Sequence, residues 1–378
     1  MEPRAELRLV SGKRRLSPGL PKGVHLSHQR VLVTGHHGYI GSVLVRLLSQ
    51  AGYEPVGLDA DFFVNNRFVG ELVKVSGLRR DLRDIQPQDL AGFGAVMHLA
   101  ALSNDPLGDL NPQLTYEINH AATMRLAESA KQAGVARFLF SSSCSMYGAA
   151  GSAMLDESAE FHPVTPYARS KVLVERELTA LADDRFSPVF LRNTTAYGVS
   201  PFMRFDIVLN NLVGWAYTTG RVQIQSDGTP WRPLIHVEDI CRAFVAALEA
   251  PREAIHNEAF NIGLTEENYQ IRDLAEIVKE IVPGCTITYA PGGGPDPRSY
   301  RVNFAKAKKG LPGFKPQWNV RRGASDLLAA CQEAQLKEKD FTGPRFNRIL
   351  HIRNLMSSGA LDSDLRWCGA VPASAALH

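Results

Sequence analysis

Cysteine is scarce and unpatterned. The 378 residues hold 5 (Cys144, Cys241, Cys285, Cys331 and Cys368), an odd number with no Cys-x-x-Cys or Cys-x-x-His spacing. That argues against a disulfide framework and against a zinc site, so no metal is expected and a reducing cytoplasm is the simpler setting. Long apolar runs are missing too. Nothing approaches the roughly 18 uninterrupted apolar residues of a membrane span, and residues 1–30 lack the apolar core of a secretory signal. Charge of one sign is not in excess: 42 Lys+Arg stand against 39 Asp+Glu, a net +3. Residues 1–30 alone carry a local +5, from Arg4, Arg8, Lys13, Arg14, Arg15, Lys22 and Arg30 against Glu2 and Glu6, so the rest of the chain sums to −2. A body that is not basic gives a nucleic-acid groove no support. Residues 1–29 are expected to be a flexible basic leader, with a tether to an acidic surface as the alternative.

What is present is a globular composition, 44% hydrophobic, and a regular alternation of elements without internal repeats. Arg30–Thr34 is a β-branched run ending in glycines, followed by Val43, Leu44, Leu47 and Leu48 at helical spacing. Glu54–Asp59 and Ala95–Ala100 read as strands, and Asn119–Gly134 as a helix stopped by glycine. Arg137–Ser141 is the next strand, Tyr167–Leu181 a helix and Ser187–Arg192 a further strand. Such alternation predicts an α/β fold, a doubly wound parallel sheet covered on both faces. Beyond about residue 195 the pattern is mixed, with Gly/Pro-rich stretches such as Pro291–Pro297, which suggests a smaller lobe interleaved with the first domain. The tail holds an amphipathic helix (Phe346, Ile349, Leu350, Leu355) ending near Gly359, expected to pack over the lobe or at a subunit interface.

The segment Thr34-Gly-His-His-Gly-Tyr-Ile-Gly41 stands between a strand and a helix. A diphosphate needs close backbone approach, free N–H groups and the positive end of a helix dipole, which Gly35, Gly38 and Gly41 allow. Asp59 closes the second strand, eighteen residues after Gly41, where a carboxylate can accept from adenosine ribose hydroxyls and would repel a 2′-phosphate. Asp61 could share that role. His36 and His37 are adjacent on a tight turn and cannot converge on one ion, so both read as loop lining, one near the phosphates.

Downstream, Tyr167-Ala-Arg-Ser-Lys171 places a phenol and an ammonium on one helix face. The ammonium stabilises the phenolate and brings a group of pKa about 10 toward working pH. Such a phenolate can remove a proton from a sugar hydroxyl, and a serine at the end of the strand leading into Ser141-Ser-Ser143 can hold that oxygen.

Together these segments resemble the extended short-chain dehydrogenase/reductases, specifically the NAD-dependent nucleotide-sugar epimerases and dehydratases, over roughly residues 30 to 320. The resemblance implies a Rossmann-type sheet in residues 30–195 binding NAD and a smaller mixed α/β substrate lobe in 196–330; residues 331–378, beyond it, are expected from their own pattern to form a C-terminal helical extension. It implies a cofactor site formed by Gly35, Gly38, Tyr39, Ile40 and Gly41 of the loop, Asp59, and the Asp81-Leu82 pair beside adenine. Leu99, Ala100, Ala101 and Ser103 after the fourth strand, Asn119 of the following helix, Ser141 and Thr194 complete that site. Tyr167 is implied as acid/base, with Lys171 binding the nicotinamide ribose and tuning it, and Ser143, 24 residues before Tyr167, positioning the reacting hydroxyl. On the substrate side, a nucleoside-diphosphate sugar is implied, with Thr195 facing it (the family often has asparagine there) and Asn211 at the nucleoside ribose. Arg232, in a Gly-x-x-x-Arg block, and Arg298 are the implied diphosphate clamps. His236 and Asp239 are expected to hold the lobe together. A homodimer is implied, and neither a nucleic-acid nor a membrane partner.

Several reactions share this resemblance. The 4,6-dehydratases carry an Asp-Glu pair after the active-site threonine, whereas Ser143 is followed by Cys144 and Ser145. Epimerases that invert C3 and C5 carry a cysteine at the position of Ser145, one residue on from Cys144. An offset of one at a strand end turns Cys144 to the other face, so it is expected to be packed. The expectation is a 4-epimerase working by transient hydride transfer through a 4-keto intermediate. A 4-ketosugar reductase is the alternative, and a non-catalytic NAD-binding sensor or scaffold is the alternative from another class.

Overall fold

A computed structural model describes residues 29–103, 111–149, 153–290 and 298–369. The expected leader, all but Gln29, and the stretch 291–297 lie outside the described residues. In chain order the main elements of the first half are β1 (Arg30–Thr34), α1 (Gly41–Gln50), β2 (Glu54–Asp59), β3 (Gly77–Arg79) and β4 (Ala95–His98). They continue with α2 (Ala122–Gln132), β5 (Arg137–Ser143), β6 (Met154–Leu155), α3 (Pro166–Leu181) and β7 (Ser187–Asn193). The second half supplies β8 (Thr195–Tyr197), α4 (Val208–Thr219), β9 (Arg221–Ile224), β10 (Trp231–His236), α5 (Val237–Glu249) and β11 (Glu258–Ile262). After these come β12 (Asn268–Gln270), α6 (Ile271–Ile281), β13 (Thr286–Tyr289), β14 (Arg301–Val302), α7 (Val320–Glu333) and α8 (Arg348–Ser357).

Seven strands form one parallel sheet in the order β3-β2-β1-β4-β5-β7-β11. Alternate side chains leave opposite faces, and both faces are apolar. Val31 and Val33 of β1, Met97 of β4 and Leu139 of β5 join α1 and α5 in one cluster. Leu32, Val96, Phe138 and Phe140 join α2 and α3 in the other. Each fully buried Val, Leu or Phe contributes about 1.5–3 kcal/mol, so a polar residue at either face of β1 would strike the centre of the sheet. Strand order reverses between β1 and β4, which opens a crevice at their C-terminal ends.

β11 returns from late in the chain to extend the sheet beside β7, which interleaves the two halves. The lobe itself holds the three-stranded sheet β12-β10-β8 and the pair β13-β9, backed by α4, α6 and α7.

Three elements differ from the sequence expectation. β4 stops at His98, because the next two N–H groups, of Leu99 and Ala100, both donate to Thr34 Oγ1 at 3.1 Å. The helix expected from Asn119 starts at Pro112, capped by Asn111, and passes through a π-helical turn at Glu117–Ala121. A π turn adds a residue and shifts the apolar phase, so periodicity locates only the part beyond it. The tail helix α8 packs toward the first half of the chain rather than over the lobe: its Ile352 is buried with Leu102, Leu114, Leu361 and Leu365, against Phe62 and Phe63.

Candidate active site

The loop after β1 is shaped by its glycines. Gly35 has a φ of +73°, its N–H donates to the Leu58 carbonyl at 2.7 Å, and the Gly38 N–H donates back to Gly35 at 2.9 Å. A Cβ on Gly41 would stand 2.1 Å from the Gly35 carbonyl oxygen, so only glycine lets the first turn of α1 close against the loop. Thr34, directly before it, ties the ends of β1 and β4 together. Its hydroxyl accepts from Leu99 and Ala100 and meets His98 Nδ1 at 2.7 Å, while His98 Nε2 meets the Thr123 hydroxyl at 2.7 Å. Thr123 itself donates to the Asn119 carbonyl, so the chain of bonds suits a neutral imidazole protonated on Nε2. Burial holds His98 down at about 3, consistent with that state.

Asp59 sits at the cavity wall with its carboxylate oriented by two backbone donors, His37 N–H at 3.0 Å and Asp61 N–H at 2.9 Å. Asp61 does not share its role: at a φ of +60° it turns away from the cavity, within hydrogen-bond distance of His37 Nδ1 (2.6 Å) and in an ion pair with Arg79 Nε (3.0 Å). Of the two loop histidines only His37 lines the cavity. His36 is buried with its ring where a Cβ on Gly57 would stand, so it packs the loop onto β2.

Asp81 caps the turn Leu82–Asp84 and is gripped by Arg83 through Nε at 2.9 Å and a terminal nitrogen at 2.7 Å. Burial alone would raise its carboxyl, but Arg83 outweighs that and holds it below its ordinary range. Leu82 lines the cavity beside it, as do Leu99, Ala100, Ala101 and Ser103. Asn119 does not reach the cavity. Buried in the π turn, it takes the Leu102 N–H at 2.8 Å and donates to the Leu102 carbonyl at 3.1 Å, which fixes the path of residues 99–103. It is a positioning residue.

Tyr167 enters in the first turn of α3, which starts at Pro166 with Thr165 accepting from the Ala168 N–H at 3.2 Å. Lys171, one turn on, is 3% exposed; its ammonium lies 5.5 Å from the Tyr167 ring centre and donates to the Ser141 carbonyl at 2.7 Å. Burial lowers its pKa to about 7, against a smaller opposing effect of Glu175. Ser143, at the end of β5, has its Oγ held by the Ser145 N–H (3.1 Å) and donates to Ser145 Oγ (2.9 Å). Cys144 is packed as expected, fully buried with Tyr147, Tyr300 and Val302, its thiol donating to the Arg192 carbonyl. Burial pushes that thiol well above its ordinary range, which removes it as a nucleophile or acid/base at neutral pH.

Ser141, Ser143, Tyr167 and Lys171 share one cavity of about 950 Å³ with the glycine loop and Asp59, and with Thr194, Thr195, Asn211, Arg232 and Arg298 from the other half of the chain. That volume is at the top of the range for small-molecule clefts. His236 and Asp239 stand outside it, as expected: His236 stacks on Trp318, 3.9 Å between ring centres, and Asp239 accepts from the N–H groups of Gln317 and Trp318. Sequence reasoning missed Gln223, Gln225 and Ser226, Arg204 paired with Asp206, and Arg348, all of which line the same cavity. Arg204 carried a legible signal in retrospect, because Arg-x-Asp on an irregular segment favours a local fork of two bonds, here 2.9 and 2.7 Å. The donor set suits a dinucleotide: a diphosphate-compatible glycine loop at a helix start, an oriented carboxylate at the second strand and a half-buried Tyr167 beside the buried Lys171.

Known proteins bear on the same residues. Residues 31–263 match the NAD dependent epimerase/dehydratase family. The chain is 32% identical over 319 residues to a UDP-glucose 4-epimerase of Rhizobium leguminosarum bv. trifolii, covering 78% of this chain and 95% of that one. It is 28% identical over 342 residues to UDP-glucuronic acid decarboxylase 1 of Arabidopsis thaliana, covering 86% and 74%. Among solved structures, MoeE5 in complex with UDP-glucose and NAD superposes with a TM-score of 0.69 at 29% identity, over 81% of this chain and all of that one. The chain belongs to the NAD-dependent epimerase/dehydratase family, with its Rossmann-type fold, and is an NAD-dependent enzyme.

Proposed function

We propose that this enzyme is a 4-epimerase of a nucleoside-diphosphate sugar. The observation that carries the reading is the scarcity of acid/base groups around Tyr167. Three carboxylates line the cavity among the described residues, and each is engaged: Asp59 by two backbone N–H groups, Asp81 by Arg83, Asp206 by Arg204. Ser143 is followed by a buried thiol and a serine, so neither a second acid for eliminating water nor a reactive cysteine stands at the reacting centre. What remains is chemistry needing one proton acceptor, oxidation of an alcohol carbon and its reduction again. The names of the relatives support the same reading, although a decarboxylase is among them.

In this mechanism Ser143 Oγ holds the sugar hydroxyl and the Tyr167 phenolate oxygen takes its proton. Lys171 keeps the phenolate populated, and the Ser141 carbonyl keeps Lys171 in place. NAD held by the Gly35–Gly41 loop, Asp59 and Lys171 would supply a reversible hydride acceptor for the carbon that bears the hydroxyl. Tyr167 then gives the proton back to the sugar oxygen, so neither protons nor electrons are consumed overall. Arg232 and Arg298 would grip the diphosphate and leave the hexose free to turn over and present its other face.

The test is incubation of the purified enzyme with UDP-, dTDP-, GDP- and CDP-hexoses without added cofactor. Inversion at C4 of one of them is the expected result, and Tyr167→Phe should abolish it while leaving the NAD content of the protein unchanged. Strict dependence on added NADH with consumption of a keto sugar would overturn the reading in favour of a reductase.

A further inference from the structure

The C-terminal extension sends a cation into the cofactor end of the cavity. Beyond α7 the chain runs back across the loops that follow β2 and β4 and is tied to them by side chains. His351 Nε2 meets the Phe62 carbonyl at 2.7 Å, and Trp367 Nε1 donates to the Ala60 carbonyl at 2.7 Å. Arg366 pairs with Asp84 at 2.5 Å and stands 3.9 Å from Asp81. With Ile352, Leu361 and Leu365 buried against Leu102 and Leu114, the segment is anchored to the very loops that carry Asp59 and Asp81.

Arg348, the first residue of α8, projects from that anchor into the cavity, its guanidinium 4.4 Å from the Phe63 ring centre. It forms no salt bridge with a described residue. The charged and titratable groups that face it are Arg204, Asp206, Asp59 and Tyr39, with His351 on its own helix. Asp206 is already bound at two points to Arg204, and Asp59 to two backbone N–H groups. Burial first, and then the like charge of Arg204, hold the Arg348 guanidinium down at about 9. A partly buried cation beside another cation is costly unless an anion joins them. Tyr39 belongs to the glycine loop, where the N-terminus of α1 presents its dipole. An anion between that loop and Arg348 would therefore be faced by a helix start on one side and a planar guanidinium on the other.

We propose that Arg348, with Arg204 beside it, holds the diphosphate of the bound dinucleotide, and that the C-terminal extension is a strap that keeps the cofactor on the enzyme. The inference rests on the epimerase reading in one respect, that such a reaction needs no exchange of cofactor between turnovers.

The test is the release rate of cofactor from full-length protein, followed as loss of bound NADH fluorescence on mixing with excess NAD. Losing a charge-assisted contact should speed release by about ten- to a hundredfold in Arg348→Ala and Arg348→Gln, less in Arg348→Lys. Arg353→Ala, on the exposed side of the same helix, should leave the rate at that of the parent. Urea midpoints measured alongside separate loss of a ligand contact from loss of the helix. A parental release rate in Arg348→Gln, or equal acceleration in Arg353→Ala, would overturn the proposal. No sugar enters the measurement, so failure to epimerise any hexose would refute the proposed reaction and leave the strap standing.

Discussion

Glu175 links the stability of the fold to the proton affinity of the site, and replacing it should disturb both. It lies one turn after Lys171 on α3, 7% exposed in its side chain, and accepts from Arg192 through Nε at 3.1 and 3.2 Å and a terminal nitrogen at 2.8 Å. The Ser142 hydroxyl donates to the same carboxylate at 2.6 Å. Arg192 is equally buried, so Glu175→Gln keeps the shape and leaves a guanidinium without its counter-charge. Removing one partner of a buried pair costs about 3–5 kcal/mol, a large part of the roughly 5–15 kcal/mol that holds a typical domain together. The carboxylate also opposes the effect of burial on Lys171, so its loss should push that group below its present value of about 7. At neutral pH fewer molecules would then carry the ammonium that sustains the Tyr167 phenolate. Two assays follow: the urea midpoint should fall by the amount above divided by the m-value, and the alkaline limb of kcat/KM should move to lower pH. The double variant Glu175→Leu with Arg192→Met should recover much of the stability but not the position of the limb, because only the burial of charge is relieved. A loss below about 1 kcal/mol together with an unmoved limb would refute the coupling.

Two further outcomes are expected. Cys144→Ala should retain turnover and lose only about 1 kcal/mol in urea unfolding, the cost of a small cavity; a collapse of kcat in a folded variant would put the thiol back into the chemistry. Acid should weaken the fold through His98 and His236, both held by burial at about 3 against an ordinary 6.5. Their contribution is intact above pH 6.5 and falls below it by about 1.4 kcal/mol per pH unit for each, since the unfolded chain takes up protons that the native one refuses. Thermal midpoints recorded between pH 7 and 4.5 check this, and His98→Gln, which cannot titrate, should give a shallower slope.

Local chemistry explains why some of the molecule was legible in the chain and some was not. β1 and β2 were found residue for residue, because a parallel strand buried on both faces is an unbroken apolar run closed by glycine or a carboxylate. The loop Gly35–Gly41 and the pair Tyr167 and Lys171 were legible for a similar reason, since their spacing is their function. Asp61 and His36 were misjudged because which way a loop side chain turns depends on Arg79 and Gly57, neighbours distant in sequence from the loop. Asn119 was identified as a site residue, yet its amide serves Leu102; a buried polar group three residues into a π turn looks the same in sequence whether it serves a ligand or the backbone. Gln223 and Gln225 alternate along a short edge strand and its exit, a pattern any solvated strand shows.

The place of the tail bears on the choice between the two hydride-transfer reactions. A reductase must release oxidised cofactor and admit reduced cofactor at every turnover, so anything that fastens the loops around Asp59 and Asp81 slows it. An epimerase recovers its cofactor at the end of each cycle and gains from the same fastening, because a molecule that loses NAD in mid-reaction is left holding a keto sugar. Residues 345–369 tie down those loops through Ala60, Phe62, Arg67 and Asp84. Cofactor release slower than turnover therefore favours epimerisation, and release faster than turnover, in the parent enzyme, removes that support.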